Sequence, residues 1–349
     1  MIDSAYKNVI RKKYTMLFGC VFLTLLLAYY FTTIGMDVPL SQTITAIYLY
    51  LSGELHNSAD IVNNKIILLL RIPRILLSIL AGVGLAISGA IMQSITRNYL
   101  VSPFTLGISS AAAFGASLCI VFGTGAFFQS DMAVILCAFV ASCCCGLVVY
   151  GISQQLGVKP STIVLVGIAL NYLFSAMTAT IEFFAKEHKL EAVVQWTFGS
   201  FNRATWSNVI LTIVVVVVCL FFTWYFSLRL NAMASNDDET ARSLGINPER
   251  IRTIGGLVAV FLTSTIISFT GVIGFVGLIA PHMARFIIGT DHRFYIPFTA
   301  VLGALLLLIS DTVGKLILYP VNIPVGIVVS FLGVPLFVHL IMSKGREFE

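Results

Sequence analysis

The chain has 349 residues, 58% hydrophobic and only 11% charged, against roughly 25% charged in an average soluble domain. So few charges cannot cover a soluble protein of this length, and the sequence reads as an integral membrane protein. The net charge of +5 is no nucleic-acid footprint, because the basic residues never gather into a stripe.

Apolar runs long enough to cross a bilayer, about 20 residues, predict ten helices in chain order. They lie near 15–34, 67–93, 103–123, 131–154, 161–184, 207–229, 251–270, 272–289, 294–317 and 325–343. The predicted fold class is an all-α integral membrane protein with a single membrane domain over 1–349. The first run follows Lys7, Arg11, Lys12 and Lys13 and lacks a small-residue cleavage site, so it reads as a retained helix rather than a removed signal peptide. After it, VPLSQTITAIYLYLSG has the amphipathic pattern of a short helix lying along the membrane surface; an ordinary loop is the alternative.

The eighth run is different in kind. GVIGFVGLIAPHMAR (271–285) is apolar, yet it spaces Gly271, Gly274 and Gly277 three apart and then places Pro281 before His282. Gly costs about 1 kcal/mol and Pro about 3 in a helix interior. Broken backbone at membrane depth is tolerated where it is buried in protein or lines a cavity; close packing through small residues is the alternative.

Ten spans put both termini on one side. The other side then carries Lys65, Arg71, Arg74, Lys186, Lys189, Arg203 and Lys315, and the side of the termini carries the remaining 14 of the 21 basic residues. Cytoplasmic loops hold the excess, so both ends are predicted to be cytoplasmic. The largest inner loop, at about 230–250, is too short for a soluble domain.

The seven cysteines form no paired motif and suit small buried hydrophobes, and the five histidines are scattered. No phosphate-binding Gly-x-x-x-x-Gly-Lys-Ser/Thr loop, His-Glu-x-x-His zinc motif or Gly-x-Ser-x-Gly elbow occurs. No catalytic residue, metal site or cofactor is therefore expected, and the chain is not read as an enzyme. Glu182 and Asp311 stand near outer span ends, where an ionisable residue is a functional candidate. Asp311 and Lys315, four apart on one helix, can instead pair.

What remains is a string of motifs: Arg71-Ile-Pro-Arg74, LAISGAIMQ, RNYL (97–100), SPFTLGIS, VQWTFGSFNRATW (194–206), ARSLGI (241–246), GFVGLIAPHMAR (274–285), GTDHR (289–293), SDTVGK (310–315) and IPVGIVVSFLGVPLF (323–337). Their order resembles the FecCD-type permease subunits of ABC importers for ferric siderophores, haem and vitamin B12. The resemblance runs from about 67 to 343. It implies a ten-helix permease in the bacterial cell membrane that dimerises with itself or a paralogue. ATPase subunits dock below it and an extracytoplasmic substrate-binding protein docks above.

The resemblance also implies residue roles. Asp238, Glu239, Thr240, Ala241, Arg242, Ser243, Leu244 and Gly245 match the short helix that inserts into the ATPase. Local sequence agrees with a helix there, with acids at its start, Gly245 to end it and Pro248 beyond. Asp237 stands where the family usually has a small turn residue. Asn98 and Leu100, with Ser161 and Thr162, match the cytoplasmic gate, and Tyr99 replaces the family's usual proline. Ser161, after Pro160, equally suits helix capping. Arg71, Arg74 and Lys315 match basic residues that receive acidic groups of the binding protein; snorkelling to lipid headgroups is the local alternative.

Ferric siderophore is the cargo implied by base rate in the family, with haem or cobalamin as alternatives. An ion-gradient-driven transporter would want paired acids near the bilayer midplane, and an intramembrane enzyme would want a nucleophile with its base. Neither pattern is evident in the sequence.

Overall fold

The computed structural model describes residues 2–34, 38–53, 61–125, 130–234, 238–319 and 321–345. Among these every regular element is helical. The order is α1 (Ile2–Phe31), α2 (Gln42–Ser52), α3 (Ile61–Ile66), α4 (Ile72–Thr96), α5 (Ile108–Phe122), α6 (Asp131–Gln155), α7 (Pro160–Phe184), α8 (Glu187–Thr197), α9 (Trp206–Tyr225), α10 (Ser227–Ala234), α11 (Asp238–Ser243), α12 (Pro248–Thr270), α13 (Val276–Ile288), α14 (His292–Leu316) and α15 (Val325–Gly345). Among the described residues seven segments are long and apolar enough to cross a membrane, and α5, α13 and α15 supply shorter apolar stretches. Each predicted span overlaps one of these helical segments, seven of which are long enough by themselves to cross a membrane.

The boundaries differ where local chemistry overrides hydropathy. The third predicted span loses its first turn. Ser102 and Thr105 bond each other through side chain and backbone, and Gly107, at φ 77°, begins α5. The sixth breaks at Phe226, beyond which α10 carries the chain toward α11. The amphipathic stretch at 38–53 is a helix, α2, ended by Gly53. Between α3 and α4 the turn Ile67–Arg71 is a π-bulge. Pro73 has no N–H to donate to the carbonyl of Leu69, and the Ile72 amide bonds five residues back to Ile67 instead.

Helix α4 is the hub, packed against α14, α12, α13 and α9. Glycines set how closely these helices approach. A Cβ on Gly82 would collide with the Gly303 backbone of α14, and one on Gly303 with the Gly82 carbonyl. Lower down, Gly89 meets Gly277 of α13 in the same way. Lipid tails are as apolar as leucine, so close van der Waals contact between small residues replaces the hydrophobic drive available in water. By contrast α1, α7 and α9 leave most of their apolar surface exposed.

The broken segment is real. Helix α12 ends at Gly271, whose φ of 72° is open to glycine at little cost, and residues 271–274 run non-helical before Phe275 turns into α13. The 13 residues of α13 rise only about 20 Å. Three motifs meet at this break: the Ser200 amide donates to the Thr270 carbonyl at 2.7 Å, and Gly199, Gly271 and Gly326 let the backbones of α8's end, the break and α15's start touch. A cavity of about 600 Å³, lined by Phe104, Phe198, Val272, Gly274, Ile327 and Ser330 among others, opens beside it. Pro281 lies within α13.

Candidate functional site

Two clusters of the predicted residues lie at opposite ends of the bundle. At the first, α11 is one short helix whose exposed face carries Glu239, Thr240, Arg242 and Ser243, while Ala241 is buried. It ends in a Schellman turn: the Ile246 amide bonds the Ala241 carbonyl at 3.0 Å, the Gly245 amide bonds that of Arg242 at 2.9 Å, and Gly245 has φ 76°. Leu244, 64% exposed, projects at the tip. Asn247 then caps α12, accepting from the Arg250 amide at 2.9 Å, with Pro248 in its first turn. Asp237 lies outside the described residues.

Asp238 fixes this helix from behind. Its carboxylate accepts a two-pronged pair of bonds from Arg252, at 2.9 and 2.6 Å, and forms an ion pair with Arg97 at 2.8 Å. Hydrogen bonding to Arg252 holds the Asp238 carboxyl below its ordinary range, outweighing the opposite pull of burial. Sequence reading missed both arginines as partners, since 14 and 141 residues separate them from Asp238.

The segments matching the gate lie at this same end. Asn98 folds as a local turn, its Oδ1 accepting from the Leu100 amide at 3.0 Å, and Tyr99 and Leu100 are about half exposed. Ser161 and Thr162 begin α7 inside its first turn. The N-cap is Lys159, with no side-chain cap bond, so the capping reading of Ser161 is set aside. Tyr99 has gained a partner: the Arg285 guanidinium sits 3.8 Å from its ring centroid and donates to the Tyr295 hydroxyl at 3.1 Å, a cation–π contact.

The GTDHR motif anchors α10, the approach to α11. Asn231 of α10 donates to Asp291 at 3.0 Å and accepts from the His292 backbone amide at 2.8 Å; its Oδ1 also lies 2.7 Å from His292 Nδ1, while Nε2 of the same ring lies 2.6 Å from Ser94 Oγ. Asp291 also caps α14, and hydrogen bonding to Arg293 holds its carboxyl well below the ordinary range. His292 is thus a packing histidine, and among the described residues no three His, Cys, Asp or Glu side chains gather as metal ligands would.

At the opposite end, Arg71, Arg74 and Lys315 line one cavity of about 490 Å³ together with Asn202 and Asn322. They do not project freely. Arg74 makes a two-pronged pair with Asp311 and bonds Asn202. Lys315 pairs with Asp311 at 2.8 Å, as the four-residue spacing allows. Arg71, although three residues from Arg74, turns instead to the carbonyls of Thr32 and Ile34 beyond α1. Asp311 is only 4% exposed, so the cluster is a partly buried ion triad open to the cavity on its cationic side.

The FecCD transport family model matches residues 17–343. The chain belongs to the FecCD transport family. A Methanocaldococcus jannaschii protein named as an ABC transporter permease is 40% identical over 99% of both chains. The iron(3+)-hydroxamate import system permease FhuG of Bacillus subtilis is 36% identical over 78% of this chain and 82% of its own. A solved structure described as an inward-facing metal-chelate type ABC transporter superposes with a TM-score of 0.82 at 29% identity, covering 94% of this chain and 99% of that one. Two further relatives, covering about four fifths of this chain, are named for hemin in Yersinia pestis, at 33% identity, and for molybdate in Haemophilus influenzae, at 32%. This FecCD protein is therefore an ABC importer permease, a multi-span transport subunit.

Proposed function

We propose that the chain forms, with a second copy or a paralogous permease, the membrane pathway of an importer for ferric siderophores. In this reading both termini are cytoplasmic, ATPase subunits dock on α11, and an extracytoplasmic binding protein docks over Arg71, Arg74 and Lys315. The observation that carries the reading is Leu244, a large apolar side chain held out at the tip of a helix that Asp238 fixes from behind. A merely solvated helix has no need of it. The relatives named for iron(3+)-hydroxamate favour a ferric chelate. The relative named for hemin keeps haem as the second reading, and fluorescence quenching of the cognate binding protein by each ligand separates the two.

Purified alone, the chain is expected to hydrolyse no ATP. With its ATPase, Leu244→Glu is expected to weaken association by about 30-fold, the effect of losing a hot spot of about 2 kcal/mol, and to abolish stimulated turnover. Normal turnover in a variant with wild-type thermal stability would sink the docking assignment. Leu244 is the better probe than Gly245, where any side chain would strain the left-handed backbone.

At the other end, the double variant Arg71→Gln, Lys315→Gln is expected to raise the Kd for the binding protein roughly five- to tenfold at low salt, since exposed pairs contribute about 0–1 kcal/mol each. The difference should shrink as salt rises. Unchanged affinity at low salt would remove the outer docking assignment.

A further inference from the structure

Arg252 stands near the start of α12 and is fully buried. Its one planar group holds three separate pieces of chain. Nε donates to the Ile95 carbonyl in the last turn of α4 at 3.1 Å. Nη1 reaches the Val158 carbonyl just before α7 at 3.4 Å and Asp238 at 2.9 Å, and Nη2 reaches Asp238 at 2.6 Å. Arg97 completes the cluster, pairing with Asp238 and donating through Nε to the Met233 carbonyl of α10 at 2.7 Å. Ile95 is three residues before Asn98, and Val158 three before Ser161.

Backbone strain falls at the same places. Among the described residues only three non-glycines have positive φ, and two of them are Arg97, at 52°, and Val158, at 47°. A β-branched residue in that region is an outlier, and strain of this kind persists only where the surroundings over-determine it. Here they do, because each strained residue adjoins or carries a group bonded into the Arg252–Asp238 cluster.

We propose that Arg252, with Asp238 as its partner, is the positioning residue that carries movement of α11 to both gate segments, the loop after α4 and the start of α7. This rests on the proposed reading of α11 as the ATPase-docking helix and of 98–100 and 161–162 as the gate. If α11 shifts, one of two things must happen. Asp238 lets go and leaves a buried guanidinium short of its counter-charge, or Arg252 follows and draws on the Ile95 and Val158 carbonyls. Abandoning a buried charge is the costlier course. The fork geometry of arginine, with five donors in one rigid plane, makes the motion common to both segments instead of passing it to one.

The test uses the full complex of permease, ATPase and binding protein in proteoliposomes, on a background lacking the native cysteines. Reporter thiols are introduced as Asn98→Cys or Ser161→Cys. With Arg252 intact, nucleotide trapping is expected to change the labelling rate at both reporters by about tenfold, within the usual range of allosteric coupling. Arg252→Gln is expected to leave both rates insensitive to nucleotide and to lower uptake per ATP hydrolysed by a similar factor. Arg252→Lys keeps the charge but not the fork, and is expected to preserve the response at one reporter at most. It decides the matter if Arg252→Gln fails to assemble. Retention of the full response at both reporters in Arg252→Lys, or in an assembled Arg252→Gln, would overturn the proposal. Reporters that stay constant with Arg252 intact would instead overturn the gate reading, and the proposal with it.

Discussion

Gly303→Val is expected to prevent accumulation of folded permease. The Cα of Gly303 faces the Gly82 carbonyl across the α4–α14 contact, and a Cβ there would also press on Ala86. Overpacking costs about 1–3 kcal/mol where neighbouring side chains can yield. Here the nearest neighbour is main chain, locked in the helix at the centre of the bundle, so the cost should exceed about 3 kcal/mol. A monodisperse, detergent-solubilised variant with the wild-type unfolding temperature would show that α4 and α14 do not cross at these glycines. Gly151→Val, where a Cβ meets nothing within 4 Å, is the control and should fold normally.

Asp311→Ala should be nearly as severe, through charge instead of volume. Its carboxylate is the shared partner of Arg74 and Lys315, and removing it leaves two cations side by side near the end of the bundle. Breaking one partner out of a buried ion pair costs about 3–5 kcal/mol. Arg74 and Lys315 keep 15% and 23% of their side-chain surface exposed, so the low end of that range is expected. The triple variant Arg74→Met, Asp311→Leu, Lys315→Met should recover most of the lost thermal stability, because a well-packed apolar set can replace a buried ion cluster. If Asp311→Ala melts at the wild-type temperature, the triad is a water-screened surface pair and contributes nothing to the fold. The same cluster bears on the proposed docking: Asp311 takes up one charge of the three, and what Arg71, Arg74 and Lys315 present to the cavity is a net charge of about +2 at neutral pH.

Much of the framework was legible in the residues. Hydropathy marked each long helical segment because about 20 apolar residues in succession have few other uses in a chain this poor in charge. The stretch 271–285 announced its break because Gly271 and Gly274 each oppose a continuous helix, whereas Pro281 is accommodated inside α13. The end of α11 was readable at Gly245, since a Schellman stop depends on one residue tolerating φ 76°. The i,i+4 pairing of Asp311 with Lys315 was readable for the same reason, being local.

The composition thus determined by itself that this is a membrane protein, and the motif order determined its family. Local spacing determined the stop of α11 at Gly245 and the break at 271–274. Beyond the local Asp311–Lys315 pair, only the tertiary structure decided what the charges do. Arg74 meets Asp311 across 237 residues, Asp238 meets Arg97 and Arg252, and Tyr99 meets Arg285. Arg71 and Arg74, three residues apart, are drawn to different partners because α1 ends beside one and α14 beside the other. Helix periodicity constrains a residue against its neighbours three and four places along. The cost of leaving a charge unpaired in an apolar bundle is settled by whichever distant group the packing brings within reach.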